Sequence, residues 1–251
     1  MLNLFDIKVV GTDIAAMLKY LPVTLYLTLW SMVLGLLLGF VIAVIRIKKI
    51  KVLNQLSIVF ISVIRGTPII VQLYVSYFGI PIFLQYLNYW NGTDYNVAAI
   101  PPIIYAIAAL ALNQAAYNSV VISSALEAVD KGQVEAAQAI GMTGWQSLRR
   151  IVIPEAVELA IQPLGNTLIG LIKGTSLAFS CSVIEMTAAG KILAGRDYRY
   201  FEAYVALAVI YWALVIVLEQ IIRLISKAVK VPDVVGKNDS AKVAVAECRG
   251  Q

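Results

Sequence analysis

The chain has 251 residues, of which 60% are hydrophobic and 14% are charged, and its formal net charge is +5. Soluble domains are about 45–50% apolar and about 25% charged, so the composition excludes a soluble single-core protein and a disordered chain. The sequence contains no histidine, which excludes Ser-His and Cys-His catalysis and His-ligated metal sites. Because Cys181 and Cys248 follow no disulfide or zinc spacing, we expect no catalytic residue, no metal and no cofactor.

Several stretches are long and apolar enough to cross a membrane, because a spanning helix needs about 20 largely apolar residues. They are residues 21–45, 66–93, 95–126, 159–184 and 203–225. The sequence therefore predicts an all-α integral membrane protein with five transmembrane helices. The preceding residues, 1–20, carry Asp6 and Asp13 and lack the basic start of a removable signal peptide. They form either an interfacial segment or a frayed tail.

Lysine and arginine residues cluster after the first span, between the third and fourth, and after the fifth, as in Arg46, Lys131 and Arg223. With five crossings these places face one side of the membrane, which the positive-inside rule makes the cytoplasm. We therefore expect an N-terminus outside, a cytoplasmic C-terminus and a multi-pass chain in contact with membrane lipid. The positive net charge, which would suggest nucleic acid in a soluble protein, then has a membrane explanation, and we expect no nucleic acid.

A short apolar stretch, residues 52–64, ends at Arg65-Gly66-Thr67-Pro68. Threonine is a common helix N-cap and proline is favoured in the first helical turn. We therefore expect a new helix to start at Pro68 and the preceding stretch to form a separate helix near the cytoplasmic face. The alternative is one long helix kinked at Pro68, which membrane helices tolerate.

The polar segment 127–158 is the most informative part of the chain. Alanines around Ala137 favour a first short helix, and Gly141 is expected to end it. Trp145 and Ile151 lie on an apolar stripe of a second short helix, which we expect Pro154 to stop. A two-helix unit with an exposed apolar ridge requires a partner groove.

The predicted organisation is an N-terminal interfacial segment at 1–20, a transmembrane domain at 21–228 with the cytoplasmic loop 127–158, and a cytoplasmic tail at 229–251.

The spacing in this loop resembles a known motif. Glu135-Ala136-Ala137, Gly141, Ile151 and Pro154 match the coupling loop of permeases in bacterial ATP-binding-cassette importers, with Ile153 where the family has leucine. Further stretches resemble the polar amino-acid branch, the histidine/glutamine-type permeases; they are Arg65–Pro68 with Val71–Leu73, Asp130–Gln133, Asn166 and Lys173–Leu177. The resemblance covers about residues 18–228 and implies the type I ABC importer permease fold.

The resemblance also implies partners. They are a second permease subunit, identical or paralogous, a cytoplasmic ATPase dimer, and an extracytoplasmic amino-acid-binding protein, assembled on a bacterial cytoplasmic membrane. The residues expected to couple to the ATPase are Glu135, Ala136, Ala137, Gly141, Ile151 and Pro154. The chain has no Gly-x-x-x-x-Gly-Lys-Ser/Thr phosphate loop, so we expect no enzyme activity here and ATP hydrolysis in another chain. The alternative is an ion-coupled secondary carrier or a channel, which would not need the coupling loop.

Lys173 lies deep in the fourth span, where a charge either marks a transport pathway or reaches the outer interface. Asn166 lies on the same helical face, seven residues earlier. We expect Gly174 to break the helix and Thr175 and Ser176 to cap the next one, whose positive N-terminus suits an anion. Lys173, Thr175 and Ser176 are therefore predicted to hold the α-carboxylate of an amino-acid substrate.

The third span carries a polar run that faces either the pathway or other helices. Tyr117 and Asn118, together with Gln72 and Asn166, complete the predicted substrate-binding set, although Asn118 fits helix packing equally well. Relatives often have Ala-Glu at Asn118-Ser119 and Asp at Gly174, so this chain lacks carboxylates that could pair with a basic substrate. This difference favours a neutral or zwitterionic amino acid, such as the sulfur amino acid cystine.

Glu185 follows the expected helix break in the fourth region and has two interpretations. It either faces the outer gate or pairs with Lys191. Lys191, Arg196 and Arg199 fall on the outer side, against the positive-inside trend. They form either a contact for a partner or substrate or a local salt-bridge cluster with neighbouring carboxylates.

Overall fold

The structure is a computed structural model that describes residues 5–230, and this part of the chain is helical with no strand. Three short segments of tighter or wider winding join the α-helices: 3-10 turns at Val97–Ala99 and Thr175–Cys181, and a π turn at Leu148–Val152. The α-helices are α1 Ile7–Leu18, α2 Leu21–Ile47, α3 Lys51–Gly66, α4 Ile69–Asn91, α5 Pro102–Glu127, α6 Lys131–Ala139, α7 Gly144–Ser147, α8 Ile153–Gly174, α9 Met186–Asp197 and α10 Tyr200–Val229.

Four of these helices, α2, α4, α5 and α10, are each long and apolar enough to cross a membrane. A continuous helical run from Gly144 to Cys181 meets α9 at an angle of 56°, and this bent pair is the fifth span when counted as one. The predicted all-α membrane architecture is confirmed, with four or five spans. Spans built from α-helices follow from the bilayer, since each backbone polar group must be paired within the segment.

Small residues allow α2 and α5 to approach closely. Ser31, Gly35, Gly39 and Ala43 recur every four residues on α2, and all are buried. A Cβ added at Gly35 would lie 2.5 Å from the Cβ of Gln114 on α5, so this position has room only for glycine. In lipid, where the hydrophobic effect does not drive helix pairing, such close van der Waals packing holds helices together. Helix α5 also contacts α3, α4 and α8, so it is the centre of the fold.

Helix α1 packs against α9 and α10. Its Met17 is fully buried in an apolar cluster with Met186 and Ala206. The Asp6 side chain caps α1 by accepting a hydrogen bond from the Lys8 amide at 2.9 Å. Residues 7–18 are therefore a packed helix rather than a frayed tail. The predicted tail, 229–251, lies outside the described residues apart from its first two positions.

Two expected helix ends are wrong. Pro154 does not stop the second short helix, because α7 continues through the π turn Leu148–Val152 into α8, with Pro154 in the first turn of α8. The wider π winding accommodates a residue that has no N–H to donate. Gly174 is not a break either, since its backbone is helical (φ −66, ψ −26) and the chain continues as the 3-10 segment Thr175–Cys181. The chain breaks later, at Ser182, where φ is +59.

Candidate functional site

The break between α3 and α4 lies beside a cavity, since Thr67 and Pro68 are among the residues that line it. Thr67 and Pro68 are both extended, so α3 and α4 are separate helices, as predicted, and the single kinked helix is excluded. The expected cap is wrong, however. The Thr67 hydroxyl donates to the Val63 carbonyl at 2.9 Å, and Pro68 occupies the N-cap position without a side-chain hydrogen bond.

Gln72, on the first turns of α4, holds this break. Its amide nitrogen lies 2.7 Å from the Ile64 carbonyl oxygen and 3.0 Å from the Thr67 carbonyl oxygen, so it donates to backbone groups that α3 leaves unpaired. Its amide oxygen accepts a hydrogen bond from Asn113 of α5 at 3.0 Å. Gln72 therefore joins α3, α4 and α5 and does not line the polar cavity.

A cavity of about 550 Å³ lies between this break, α5 and α8. Apolar atoms form most of the surface of the wall, and glycines at 170 and 174 lie on it. The polar side chains on it are Thr67, Asn113, Gln114, Tyr117, Asn166 and Thr167. Within the described residues, no aspartate or glutamate lines the cavity. A mostly apolar cavity with a few convergent polar groups is typical of a small-molecule site.

The cavity wall offers a hydrogen-bond acceptor, and a positive charge lies beside it. The side-chain oxygen of Gln114 is buried without a protein partner, so it is a free acceptor on the wall. The guanidinium carbon of Arg65 lies 5.2 Å from the centroid of the Tyr117 ring, a cation–π contact. Since Tyr117 lines the cavity, Arg65 places a positive charge beside it.

The structure brings only part of the predicted site together. Tyr117 and Asn166 line the cavity. Lys173 does not line it; the side chain is exposed on α8, next to Gly174. The predicted helix start at Thr175 is wrong, because Thr175 is buried and its hydroxyl donates to the Ile172 carbonyl at 2.7 Å within a continuing helix. Ser176 lies in the same 3-10 segment and does not cap a helix.

Asn118 is fully buried between helices rather than in the cavity. Its side-chain oxygen accepts a hydrogen bond from the Thr167 hydroxyl of α8 at 2.9 Å. Its nitrogen lies 3.8 Å from the sulfur of Met32 on α2. This geometry supports the helix-packing interpretation of Asn118, because it links α2, α5 and α8.

Glu185 has a structural setting that sequence reasoning missed. Its carboxyl group is fully buried and caps α9 by accepting a hydrogen bond from the Ala188 amide at 2.8 Å. The second oxygen accepts from the Tyr211 hydroxyl of α10 at 3.2 Å. The expected pairing with Lys191 is wrong, since the Lys191 ammonium lies over the Phe179 ring instead. Glutamate is not a preferred N-cap residue, so local sequence gave no signal for this role.

Charged side chains at the ends of α1, α9 and α10 form a local cluster. Arg199 lies 3.5 Å from Glu202 in a salt bridge. Asp13 of α1 lies close to Asp197 and Glu202; burial, followed by the repulsion of these two carboxylates, raises the pKa of Asp13. The salt bridge matches the local-cluster interpretation for Arg199.

The loop between α5 and α8 contains the two short helices α6 and α7 that its sequence predicts. Gly141 has φ +90 and follows the end of α6, a conformation that strains other residues. Glu135 and Ala136 are exposed, whereas Ala137 is buried and Ile151 and Pro154 are half-buried. Ile140 and Trp145 expose 81% and 68% of their surface, so this unit presents an apolar surface without a partner in the described chain.

Comparison with known proteins connects these features to a family. Residues 35–231 match the family described as "Binding-protein-dependent transport system inner membrane component". The L-cystine transport system permease protein TcyL of Bacillus subtilis is 39% identical over 90% of this chain and 92% of its own length. The glutamine transport system permease protein GlnP of Escherichia coli K12 is 30% identical over 90% of this chain and 99% of its own. The chain belongs to the family of binding-protein-dependent transport inner membrane components.

Solved structures agree with this assignment. A chain from a crystal structure of an amino acid ABC transporter with histidines is 30% identical, covers 89% of this chain and 99% of its own length, and superposes with a TM-score of 0.75. A chain of the inward-facing MetNI methionine ABC transporter, 22% identical with a TM-score of 0.60, covers 90% of this chain and 100% of its own and shares the fold.

The family confirms the expected class of protein. The chain is a multi-pass permease subunit of the cytoplasmic membrane and is not itself an enzyme, because ATP hydrolysis belongs to a separate ATPase subunit. Permeases of this family work with an ATPase, a permease partner and a substrate-binding protein. The ion-coupled carrier or channel is not favoured by these relatives.

Proposed function

We propose that this permease subunit imports a neutral, zwitterionic amino acid, with cystine as the first candidate, through the cavity between α5 and α8. The observation that carries the proposal is the absence of carboxylates among the described residues that line the cavity. A lysine or arginine side chain would bring a second positive charge into a largely apolar site, which is costly without a counter-charge. The amides and hydroxyls present suit a neutral side chain, and the relative TcyL is named for cystine transport.

In this proposal, Tyr117 and Asn166 contact the substrate directly, and a positive side chain meets its carboxylate. Two candidates for this cation lie near the wall: Arg65, which lies over the Tyr117 ring, and Lys173, which is exposed one turn beyond Gly170. Gln72 and Asn118 position α4, α5 and α8 around the cavity through their hydrogen bonds. Thr175 and Ser176 shape the end of the α8 wall.

We also propose how the subunit lies in the membrane and meets its motor. The N-terminus is outside and the C-terminus cytoplasmic, because Arg46, Lys131 and Arg223 then face the cytoplasm. The unit formed by α6 and α7 then faces the cytoplasm as well, where Ile140 and Trp145 insert into a groove of the ATPase dimer. Glu135, Ala136 and Ala137 stiffen the unit beside Gly141, and Ile151 and Pro154 connect it to α8. The partner permease is either a second copy of this chain or a paralogue.

Uptake of labelled cystine tests the proposal. The complete complex is reconstituted in liposomes together with its binding protein, and ATP is supplied on the side of the membrane where the ATPase lies. We expect excess unlabelled cystine or another neutral amino acid to inhibit uptake and lysine or arginine to have no effect. Asn166→Leu should raise the KM about fivefold, the cost of one lost hydrogen bond. Gln162→Leu is the matched control, because Gln162 is exposed one turn earlier on α8 and does not line the cavity. Efficient uptake of lysine, or an unchanged KM for Asn166→Leu, would contradict the proposal.

A further inference from the structure

The bend between the 3-10 segment and α9 is a junction of several helices. On one side, the Tyr77 hydroxyl of α4 lies 3.2 Å from the Ser182 hydroxyl, and the Cys181 thiol donates to the Leu73 carbonyl at 3.5 Å. On another, the Met186 amide donates to the Thr24 hydroxyl of α2 at 3.4 Å. The bend therefore contacts α2 and α4 as well as the two helices it connects.

A third set of contacts, here called the Glu185 clamp, joins the bend to α10. It consists of Glu185, Thr187 and Tyr211. The Glu185 carboxyl accepts from the Ala188 amide and from the Tyr211 hydroxyl, and the Tyr211 hydroxyl lies 3.0 Å from the Thr187 hydroxyl. Within residues 5–230, no lysine or arginine pairs with Glu185. A fully buried carboxyl group with hydrogen bonds but no cation is costly and needs a structural or functional reason.

The clamp is connected to the cavity through short stretches of chain. The 3-10 segment follows directly after Leu171 and Gly174, which form part of the cavity wall. The same segment is bonded to α4, whose first residue, Ile69, also lines the cavity. The bend is therefore connected to cavity residues on both α4 and α8.

We propose that Glu185 is a positioning residue for transport: through the clamp it sets the bend between the 3-10 segment and α9 and thereby the spacing of the cavity walls on α4 and α8. A neutral amide suffices for this role, since a glutamine oxygen accepts from the Ala188 amide and its nitrogen donates to Tyr211. Among the described residues, the side-chain hydrogen bonds of Glu185 reach Ala188 and Tyr211, and neither lines the cavity. Glu185 therefore acts on the rate of wall movement rather than on substrate affinity.

The uptake assay rests on the proposed function, whereas hydrogen exchange tests the clamp without substrate. Both use the assembled complex in lipid. For Glu185→Ala we expect the maximal uptake rate to fall at least about fivefold, the lower end of typical coupling effects, with an unchanged KM. We also expect faster exchange of the backbone amides in the first turn of α9. Glu185→Gln should retain wild-type rate and protection.

Tyr211→Phe keeps the cap on α9 and removes the two hydrogen bonds of the Tyr211 hydroxyl, to Glu185 and to Thr187. It should lower the rate by a smaller factor, and it serves as the test where Glu185→Ala does not assemble. Glu202→Gln is the control, because Glu202 is a second buried glutamate that pairs with Arg199 outside the clamp. Three results would overturn the proposal: a wild-type rate in Glu185→Ala, a wild-type rate in Tyr211→Phe, or a rate in Glu185→Gln as low as in the alanine variant. If the wild-type complex shows protected α9 amides in hydrogen exchange but transports no amino acid, the proposed function is refuted. The exchange rates of the variants then confirm or refute the clamp by themselves.

Discussion

Two breaks interrupt the long helices of this permease, one between α3 and α4 and one between the 3-10 segment and α9. At the first, Gln72 donates to the Ile64 and Thr67 carbonyl oxygens at the end of α3. At the second, Glu185 accepts from the Ala188 amide at the start of α9. In both, a side chain supplies hydrogen bonds that the backbone lacks at a helix end. The carbonyl groups at the end of α3 need a donor, and the amides at the start of α9 need an acceptor.

The breaks differ in exposure. Thr67 and Pro68 are exposed beside the cavity, whereas Glu185 is fully buried. Exposed carbonyl groups have water as an alternative partner, but buried amides have none. We therefore expect the stability of the second break to depend far more on a single side chain than that of the first.

Glu185→Leu should have the largest effect on stability. It leaves the Ala188 amide and the Tyr211 hydroxyl without their partner in a buried site, which costs about 2–4 kcal/mol. The apparent free energy of unfolding in a detergent-to-SDS titration measures this loss, with Glu185→Gln as the near-neutral control. Equal stability of the leucine variant and the wild type would remove the distinction between the breaks.

Gln72→Leu should have the next largest effect, about 1–2 kcal/mol, because the released carbonyl groups are near solvent and partly hydrated. It also frees the Asn113 amide beside the cavity, so the KM of uptake should change as well. Gln55→Leu, at an exposed position of α3, is the matched control. A loss as large as that of Glu185→Leu would show that burial does not separate the two breaks.

Tyr211→Phe should cost about 1 kcal/mol, because it removes two hydrogen bonds, to Glu185 and Thr187, and such a bond between membrane helices averages about 0.6 kcal/mol. The same SDS titration measures it. Tyr204→Phe, at an exposed position of α10, provides the comparison and should be neutral. An effect above about 2 kcal/mol, beyond the range for such bonds, would mean that the α10 contact rather than the cap carries the stability of the second break.

Thr67→Val should have the smallest effect, below about 0.5 kcal/mol, as for an exposed substitution. The hydroxyl donates to the Val63 carbonyl and accepts from the Gln72 amide, which still donates to the Ile64 and Thr67 carbonyls in the variant. A shift in the SDS midpoint as large as that of Gln72→Leu would show that Thr67, not Gln72, holds the first break.

The sequence predicted the features that depend on local composition. Apolar length located the spans, and the alanines before Gly141 and the apolar stripe from Trp145 to Ile151 located the two short helices of the loop. The separate helices at Pro68 also follow from local chemistry. The helix ends at Pro154 and Gly174 were wrong because a π turn and a 3-10 segment continue the winding through residues that usually end it.

The candidate site was harder to predict because it depends on distant contacts. Tyr117 and Asn166 line the same cavity, but the side chains of Gln72 and Asn118 form hydrogen bonds to neighbouring helices instead. Helical periodicity placed Lys173 on the same face of α8 as Asn166, but it could not predict how far the Lys173 side chain lies from the cavity wall. The partners of Glu185 lie on α9 and α10, and Tyr211 is 26 positions away, so no local pattern contains them.

We propose that this chain forms the membrane pathway for a neutral amino acid and that a separate ATPase supplies the energy for transport. Reconstituting it in liposomes with and without the ATPase, the binding protein and ATP tests the claim most directly. We expect concentrative uptake of a neutral amino acid only when the ATPase, the binding protein and ATP are all present. Concentrative, saturable uptake by the chain without nucleotide would contradict it.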